Sequence, residues 1–273
     1  MQYDPIKRVL GNIFNHSTWS RKLFYQLLDL LLLRTWHIKK AIRKWLRTID
    51  GAASILDAGS GFGQYSYFLA RKNPSWQILG VDVKEEQIED CQHFFKKAGL
   101  TNANFLLADL TKFIHQESYD LILSVDVMEH IEEDGKVFSN FYQSLKKNGL
   151  LLISTPSDKG GSDVHHTNEK HDQKISFIDE HVRDGYSVEE ITTKLKNAGF
   201  SKVDVAYSYG WPGKISWKLS MKYPISLLNV SKLFFIILPI YYLAIYWFAL
   251  LMNLLDINLN HNTGTGLIVK AQR

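Results

Sequence analysis

Ser54-Ile55-Leu56-Asp57-Ala58-Gly59-Ser60-Gly61-Phe62-Gly63 is the stretch that decides the fold. A short apolar run ends in an acid and breaks into glycines at every second position. An amphipathic stretch, Gln64 to Lys72, follows at once. The pattern is that of a buried parallel strand, a tight turn and a helix N-terminus, the ligand-cradling unit of a doubly wound α/β sheet. Glycine is needed where a side chain would hold the backbone off a ligand, and where the turn requires unusual φ/ψ. The dinucleotide fingerprint G-x-G-x-x-G fails here, because Gln64 stands at its third glycine. A P-loop fails as well, for want of a Gly-Lys-Ser/Thr triplet.

Two more strands repeat the arrangement. Trp76-Gln77-Ile78-Leu79-Gly80-Val81-Asp82 ends in an acid 19 residues beyond Gly63. A carboxylate at that separation sits at the carboxyl end of its strand and can accept both hydroxyls of a ribose. A helix over Lys84 to Lys97 follows, closed by Gly99. Asn104-Phe105-Leu106-Leu107-Ala108-Asp109 is a third strand with an acidic end. Asp57, Asp82 and Asp109 thus gather on the sheet edge where open α/β sheets bind ligands.

The run Asp57-x-Gly59-x-Gly61-x-Gly63 resembles the first motif of class I S-adenosylmethionine-dependent methyltransferases. Tyr119-Asp120-Leu121-Ile122-Leu123-Ser124-Val125-Asp126-Val127-Met128-Glu129-His130-Ile131 resembles the fourth-strand motif of those related to quinone-biosynthesis enzymes. So does its sequel: a helix from Glu133 to Lys147, the turn Asn148-Gly149, and a strand from Leu150 to Thr155. The resemblance covers about Ile49 to Phe200 and returns at the last strand, Gly266 to Gln272. It implies a Rossmann-like sheet of seven mostly parallel strands with S-adenosyl-L-methionine as cofactor. Asp57 and the turn Gly59, Ser60, Gly61 and Gly63 would hold the amino-acid portion. Asp82, with Val83 beside it, would take the ribose, and Asp109, with Leu110, the adenine. Asp126 would lie beside the methionine moiety. Ser60 stands where many relatives have cysteine, a harmless change because the backbone does the work there.

With 273 residues and 45% apolar content, the chain can bury one large domain with an elaboration. Cys91 is the only cysteine, which excludes a disulfide framework and fits the cytosol; no secretory signal is visible. Residues 1–50 form a helical cap. In it Leu23 to Leu33 is too short an apolar run to span a bilayer. Ile38, Ala41, Ile42, Trp45 and Leu46 then share one helical face, with Lys39, Lys40, Arg43, Lys44 and Arg47 on the other. Capping the sheet explains that helix, and lying on anionic lipid is the sharper alternative. The methyltransferase domain takes residues 51–210 and 264–273. Residues 211–263 are an insertion foreign to the common fold, with 23 uncharged residues between Lys232 and Asp256. Both of its ends must rejoin one sheet, which argues against a single crossing of a membrane. Pro224 and Pro239 suggest two helices of about 15–16 residues, each shorter than a crossing. A re-entrant or interfacial hairpin on the cytoplasmic side of a membrane is expected, with a homodimer contact as the alternative.

Methyl transfer from a sulfonium depends on positioning and, for a phenol acceptor, on a general base. The candidates are His130, behind the fourth strand, and His165 and His166 in the loop after the fifth. His171 and His181 are more distant choices. Asp163, His165, His166, Glu169, His171 and Asp172 are dense in ligand atoms but lack regular spacing, so no metal is expected. Basic residues lie beside apolar faces and not in an aromatic-interleaved groove, which argues against nucleic acid. The expected function is methyl transfer to a small lipophilic acceptor at the membrane surface, foremost to a phenolic or quinol oxygen. Carbon or nitrogen transfer, and a non-catalytic cofactor-binding scaffold, are the alternatives.

Overall fold

A computed structural model describes residues 17–160, 182–231, 233 and 236–273. Two helices, α1 (Thr18–Leu31) and α2 (Leu33–Trp45), precede the sheet. Then come β1 (Ser54–Ala58), α3 (Gln64–Lys72), β2 (Gln77–Asp82), α4 (Glu85–Ala98), β3 (Ala103–Leu107) and β4 (Tyr119–Val125). A single 3-10 turn, Met128–His130, leads to α5 (Asp134–Ser144) and β5 (Leu145–Pro156). After α6 (Val188–Asn197) and β6 (Lys202–Ser208) the chain runs into α7 (Trp211–Trp217), a π turn (Lys218–Lys222), α8 (Tyr223–Val230), α9 (Leu238–Asn258) and β7 (Gly266–Gln272).

The seven strands form one sheet in the order β3-β2-β1-β4-β5-β7-β6, and only β7 runs antiparallel to its neighbours. This is the expected doubly wound architecture, with its helical elaboration inserted before the last strand. One face packs under α1 to α4, where Phe24, Tyr25, Ile38, Ile42, Trp45, Leu69 and Phe95 join Ile55, Ile78 and Leu121. The other face is covered by α5 and α6, with Phe138, Phe141, Ile191 and Leu195 against Leu56, Ile122 and Val269. The apolar face read in α2 is therefore a sheet cap. Part of its basic face is also engaged: Lys39 pairs with Asp29, and Lys40 Nζ donates to Asn258 Oδ1 at 3.0 Å.

Two expectations are corrected. The helix before β5 stops at Ser144 and not at Lys147, because Leu145 already pairs with Tyr119 in the sheet; a bulge then restores the register at Leu121↔Leu150. The insertion is also longer in both legs than the prolines implied. α7, the π turn and α8 run on as one helical leg, and α9 has 21 residues, about 31 Å at 1.5 Å per residue. By length and composition α9 could cross a membrane. Its inner side is nevertheless spent on the protein: Ala249, Met252, Asn253 and Asp256 are buried, and Tyr246 OH donates to Leu30 O at 2.7 Å.

The sequence explains the long first leg. Pro224 has no N–H for the carbonyl of Ser220, and the Tyr223 N–H is diverted to Lys218 O by the π turn. The two carbonyls left over are satisfied from α9: Tyr241 OH donates to Leu219 O and Tyr242 OH to Ser220 O, each at 2.7 Å. Tyr242→Phe should orphan the Ser220 carbonyl and destabilise the hairpin by about 1–3 kcal/mol. Hydrogen exchange should rise across residues 218–224 and stay unchanged in the turn 59–63.

Candidate active site

The first glycine turn is held by backbone hydrogen bonds. Gly59 N and Ser60 N both donate to Val81 O, at 2.8 and 2.9 Å, and Gly63 N donates to Ser60 O at 2.8 Å. Gly59, Gly61 and Gly63 all have positive φ, and Gly63 starts α3 from a left-handed conformation. A Cβ on Gly59 would lie 2.2 Å from Val127 Cγ2, so the turn after β1 is pressed against the turn after β4.

Asp57 is buried, and its Oδ2 accepts from both the backbone and the hydroxyl of Ser66 at 3.0 and 2.6 Å. Burial raises its pKa to about 6, partly offset by the Ser66 hydrogen bonds. Asp82, half-buried, accepts from Gly61 N at 2.9 Å and Lys84 N at 3.0 Å, which fixes its carboxylate against the turn. Val83 next to it is 52% exposed. Asp109 is exposed and accepts from the backbone and hydroxyl of Thr111, bonds that lower its pKa. Leu110 is buried, its carbonyl bonded by Asn140 Nδ2 at 2.8 Å. Pairing of Asp82 with Leu107, and of Asp57 with Gly80 and Leu123, puts all three acids toward the carboxyl edge of one sheet.

Asp126 follows β4 directly and has φ +52, a conformation that a non-glycine residue adopts only at some cost. Its Oδ2 is bonded by Arg34 Nη1 from α2. The Arg34 backbone N–H donates to Tyr209 OH at 3.0 Å, and Tyr209 itself has φ +54. Tyr65 OH lies 3.4 Å from Thr35 Oγ1. Glu129 is 1% exposed and accepts from Thr155 Oγ1 at 3.1 Å; burial first, and then the Asp126 charge, raise its pKa well above the carboxylate range. Burial also pushes Tyr209 up to about 12, which keeps it a neutral phenol and excludes it as a base near neutral pH.

Sequence reasoning thus placed Asp57, Asp82, Asp109 and Asp126 on one edge, where the structure has them. It missed Arg34, Tyr65, Glu129 and Tyr209. Glu129 lay inside the quoted motif, and its burial was not deducible from spacing. Arg34 and Tyr209 come from opposite ends of the chain with no local signal. His130 ends the 3-10 turn with its side chain exposed, whereas its neighbour Glu129 points inward. His165, His166, His171 and His181, and with them the ligand-dense stretch 163–172, lie outside the described residues. Among the described residues no group of His, Cys, Asp and Glu is placed to hold a metal ion.

The family profile described as "Methyltransferase domain" matches residues 49–199, more than half of the chain. The chain belongs to that family. It carries a class I S-adenosylmethionine-dependent methyltransferase domain. Over 105 residues it is 32% identical to (S)-coclaurine N-methyltransferase of Papaver somniferum, covering 38% of this chain and 30% of that protein. Over 142 residues it is 25% identical to the ubiquinone biosynthesis O-methyltransferase of Rickettsia canadensis, covering 52% and 58%. The chain therefore spans only 30% to 58% of the length of these relatives. In shape it matches Haemonchus contortus phosphoethanolamine N-methyltransferase 2 in complex with S-adenosyl-L-methionine. That match has a TM-score of 0.59 at 18% identity, covering 97% of this chain and 59% of that one. A methyltransferase from Mesorhizobium loti matches at 0.50 and 18%, covering 85% and 96%. At these identities the structures speak for the fold alone.

The residues present fit the cofactor. Beyond a Cβ on Gly61 the space is open to 3.9 Å, an anchored carboxylate stands at Asp82, and the exposed apolar Val83 beside it offers a seat to a heteroaromatic ring. Asp82→Ala should leave the fold intact and weaken S-adenosylmethionine at least tenfold by calorimetry, since hydrogen bonds to a charged acceptor contribute about 1.5–3 kcal/mol each. Asp57→Asn separates stability from binding. A raised carboxyl pKa means that the charge weakens the fold as pH climbs from the ordinary range through about 6. The variant should melt at or above wild type at pH 8, by at most about 3 kcal/mol, and the gap should close below pH 4. Its cofactor affinity should fall.

Proposed function

We propose that this protein transfers a methyl group from S-adenosylmethionine to a small lipophilic acceptor at the cytoplasmic face of a membrane. A phenolic or quinol-type oxygen is the leading acceptor. One observation carries this reading. The polar group Arg34, Asp126, Glu129 and Tyr209 occupies the sheet edge from which the apolar hairpin springs, two residues after Tyr209. The outer side of α9 is bare, with Ile240, Leu243 and Trp247 each about 70% exposed, and Leu27 and Leu30 of α1 are also exposed. No acid occurs from residue 205 to 255, while Lys214 and Lys218 are exposed on the first leg, a balance suited to anionic lipid.

When bound, S-adenosylmethionine supplies an electrophilic methyl group. The turn 59–63, with Asp57 and Asp82, would hold it, and Asp126 would lie toward its methionine end. Glu129 would take the acceptor's proton, since burial raises its basicity above that of an ordinary carboxylate. Tyr209 and Tyr65 would orient the acceptor oxygen as neutral donors, and Arg34 would stabilise a phenolate. The acceptor oxygen so deprotonated and held would be the nucleophile toward that methyl group, with the sulfonium sulfur as the leaving group that keeps the electron pair. His130, His165 and His166 are the alternative bases. Nitrogen transfer is the second reading, since the Asp126 and Glu129 carboxylates suit a cationic amine.

Turnover on matched panels of phenols, quinols and amines, with and without anionic vesicles, tests this. Glu129→Gln should lower kcat on phenols by about 10²-fold at unchanged cofactor affinity, while His130→Gln, His165→Gln and His166→Gln have smaller effects. The wild-type rate should rise with pH as the raised Glu129 loses its proton. The variant should recover only where the acceptor ionises unaided. Equal rates on soluble and long-chain acceptors would overturn the lipophilic assignment.

A further inference from the structure

At the foot of the apolar hairpin sits a carboxylate that the chemistry above does not use. Asp256, at the C-terminal end of α9, is 0% exposed and is reached by four donors from four parts of the chain. His37 Nε2 of α2 lies 2.8 Å from its Oδ2, and Tyr209 N, just after β6, donates to the same oxygen at 3.1 Å. Gly213 N of α7 donates to Oδ1 at 3.0 Å, and His261 Nε2, from the loop before β7, lies 3.1 Å from it. His261 Nε2 also lies 2.9 Å from the Asp256 carbonyl, so with acceptors on both contacts that nitrogen carries the proton.

We propose that Asp256 is a positioning residue for methyl transfer: clasped by His37 and His261, it fixes Tyr209 and Arg34 at the acceptor end of the site. The inference rests on the reading that the acceptor binds against Arg34, Tyr209 and Glu129. Three observations carry it further than a structural ion pair. First, the backbone is shaped around the clasp. A Cβ on Gly210 would lie 2.2 Å from His261 Nδ1, and one on Gly213 would lie 2.7 Å from Asp256 Oδ1. Second, an apolar residue would serve stability as well as a fully buried carboxylate, whose desolvation is expensive. What a carboxylate adds is a fixed set of N–H directions. Third, those directions lead to the site. Tyr209 is held at φ +54 with its N–H on Asp256 and its hydroxyl accepting from Arg34 N, while Arg34 stands one helical turn before His37 and bonds Asp126.

The clasp therefore joins the last turn of the membrane-facing helix to the two side chains nearest the acceptor. Burial works against the charge on Asp256, yet the hydrogen bond and charge of His37, with the His261 charge, hold its carboxyl below the usual range.

The test is a double-mutant cycle on the full chain with Asp256→Asn and Arg34→Met, together with His37→Ala and His37→Gln. Asp256→Asn and His37→Ala should lower kcat/KM for the best acceptor of the panels at least tenfold, with S-adenosylhomocysteine affinity within twofold of wild type. His37→Gln, which keeps a donor, should recover most of that loss. In the Arg34→Met background Asp256→Asn should lower kcat/KM by a smaller factor than in wild type, because part of its effect runs through Arg34 and the rest through Tyr209. Hydrogen exchange should rise at residues 32–36 and 207–213 and not at 57–64. Full additivity in the cycle, or unchanged kinetics and exchange, overturns the clasp. So does a uniform rise in exchange with loss of cofactor binding in both Asp256→Asn and His37→Ala, which would mark a purely structural role. If wild type turns over no acceptor, the functional reading fails by itself, and the exchange pattern still decides the clasp.

Discussion

The close approach of two turns organises this protein. Gly59, after β1, lies so near Val127, after β4, that no side chain fits between them. Parallel pairing of β1 with β2 and β4 makes that contact possible, and the contact in turn aligns the acids on those strands. Asp57, Asp82 and Asp126 become one edge because three parallel strands end together and the glycine turn folds down on the fourth strand's exit. Left-handed backbone at Gly59, Gly61 and Gly63 lets the chain reverse without lifting away.

Three buried carboxylates show how differently one chemical group is used. Asp57 is held by Ser66 alone and retains a raised pKa, so the fold bears the burden of its charge. Glu129 is bonded by the Thr155 hydroxyl and its own backbone N–H, but burial and the nearby Asp126 charge leave it the most basic of the three. Asp256, as deeply buried, is saturated by four donors and stays acidic. Burial is common to all; the number and charge of the groups around each carboxylate decide how basic it is.

The hairpin between β6 and β7 obeys a different rule. Its outer surface is apolar, with Ile240, Leu243 and Trp247 exposed, and among its described residues the irregular first leg is repaired from inside. The carbonyls freed by Pro224 and the π turn are taken by Tyr241 and Tyr242, and Ser216 Oγ bonds Ala249 O at 3.2 Å across the legs. Such internal satisfaction is what an apolar surrounding demands of a helix pair. Meanwhile α9 keeps one side against α1, α2 and α7.

The doubly wound sheet was legible in the residues themselves, because apolar runs ending in acids, glycines at fixed offsets and capped helices are local signals. So were Asp57, Asp82, Asp109 and Asp126, each tied to a strand end by one-dimensional pattern. The length of the hairpin legs was not, since a proline marks the start of a helix only if nothing else takes up the carbonyl it orphans. Arg34, Glu129, Tyr209 and Asp256 were decided by tertiary structure alone. Arg34 is 92 residues from the acid it bonds, and His37 is 219 from Asp256. Whether a charge is buried, and who satisfies it there, depends on groups that only the packed chain brings within 3 Å.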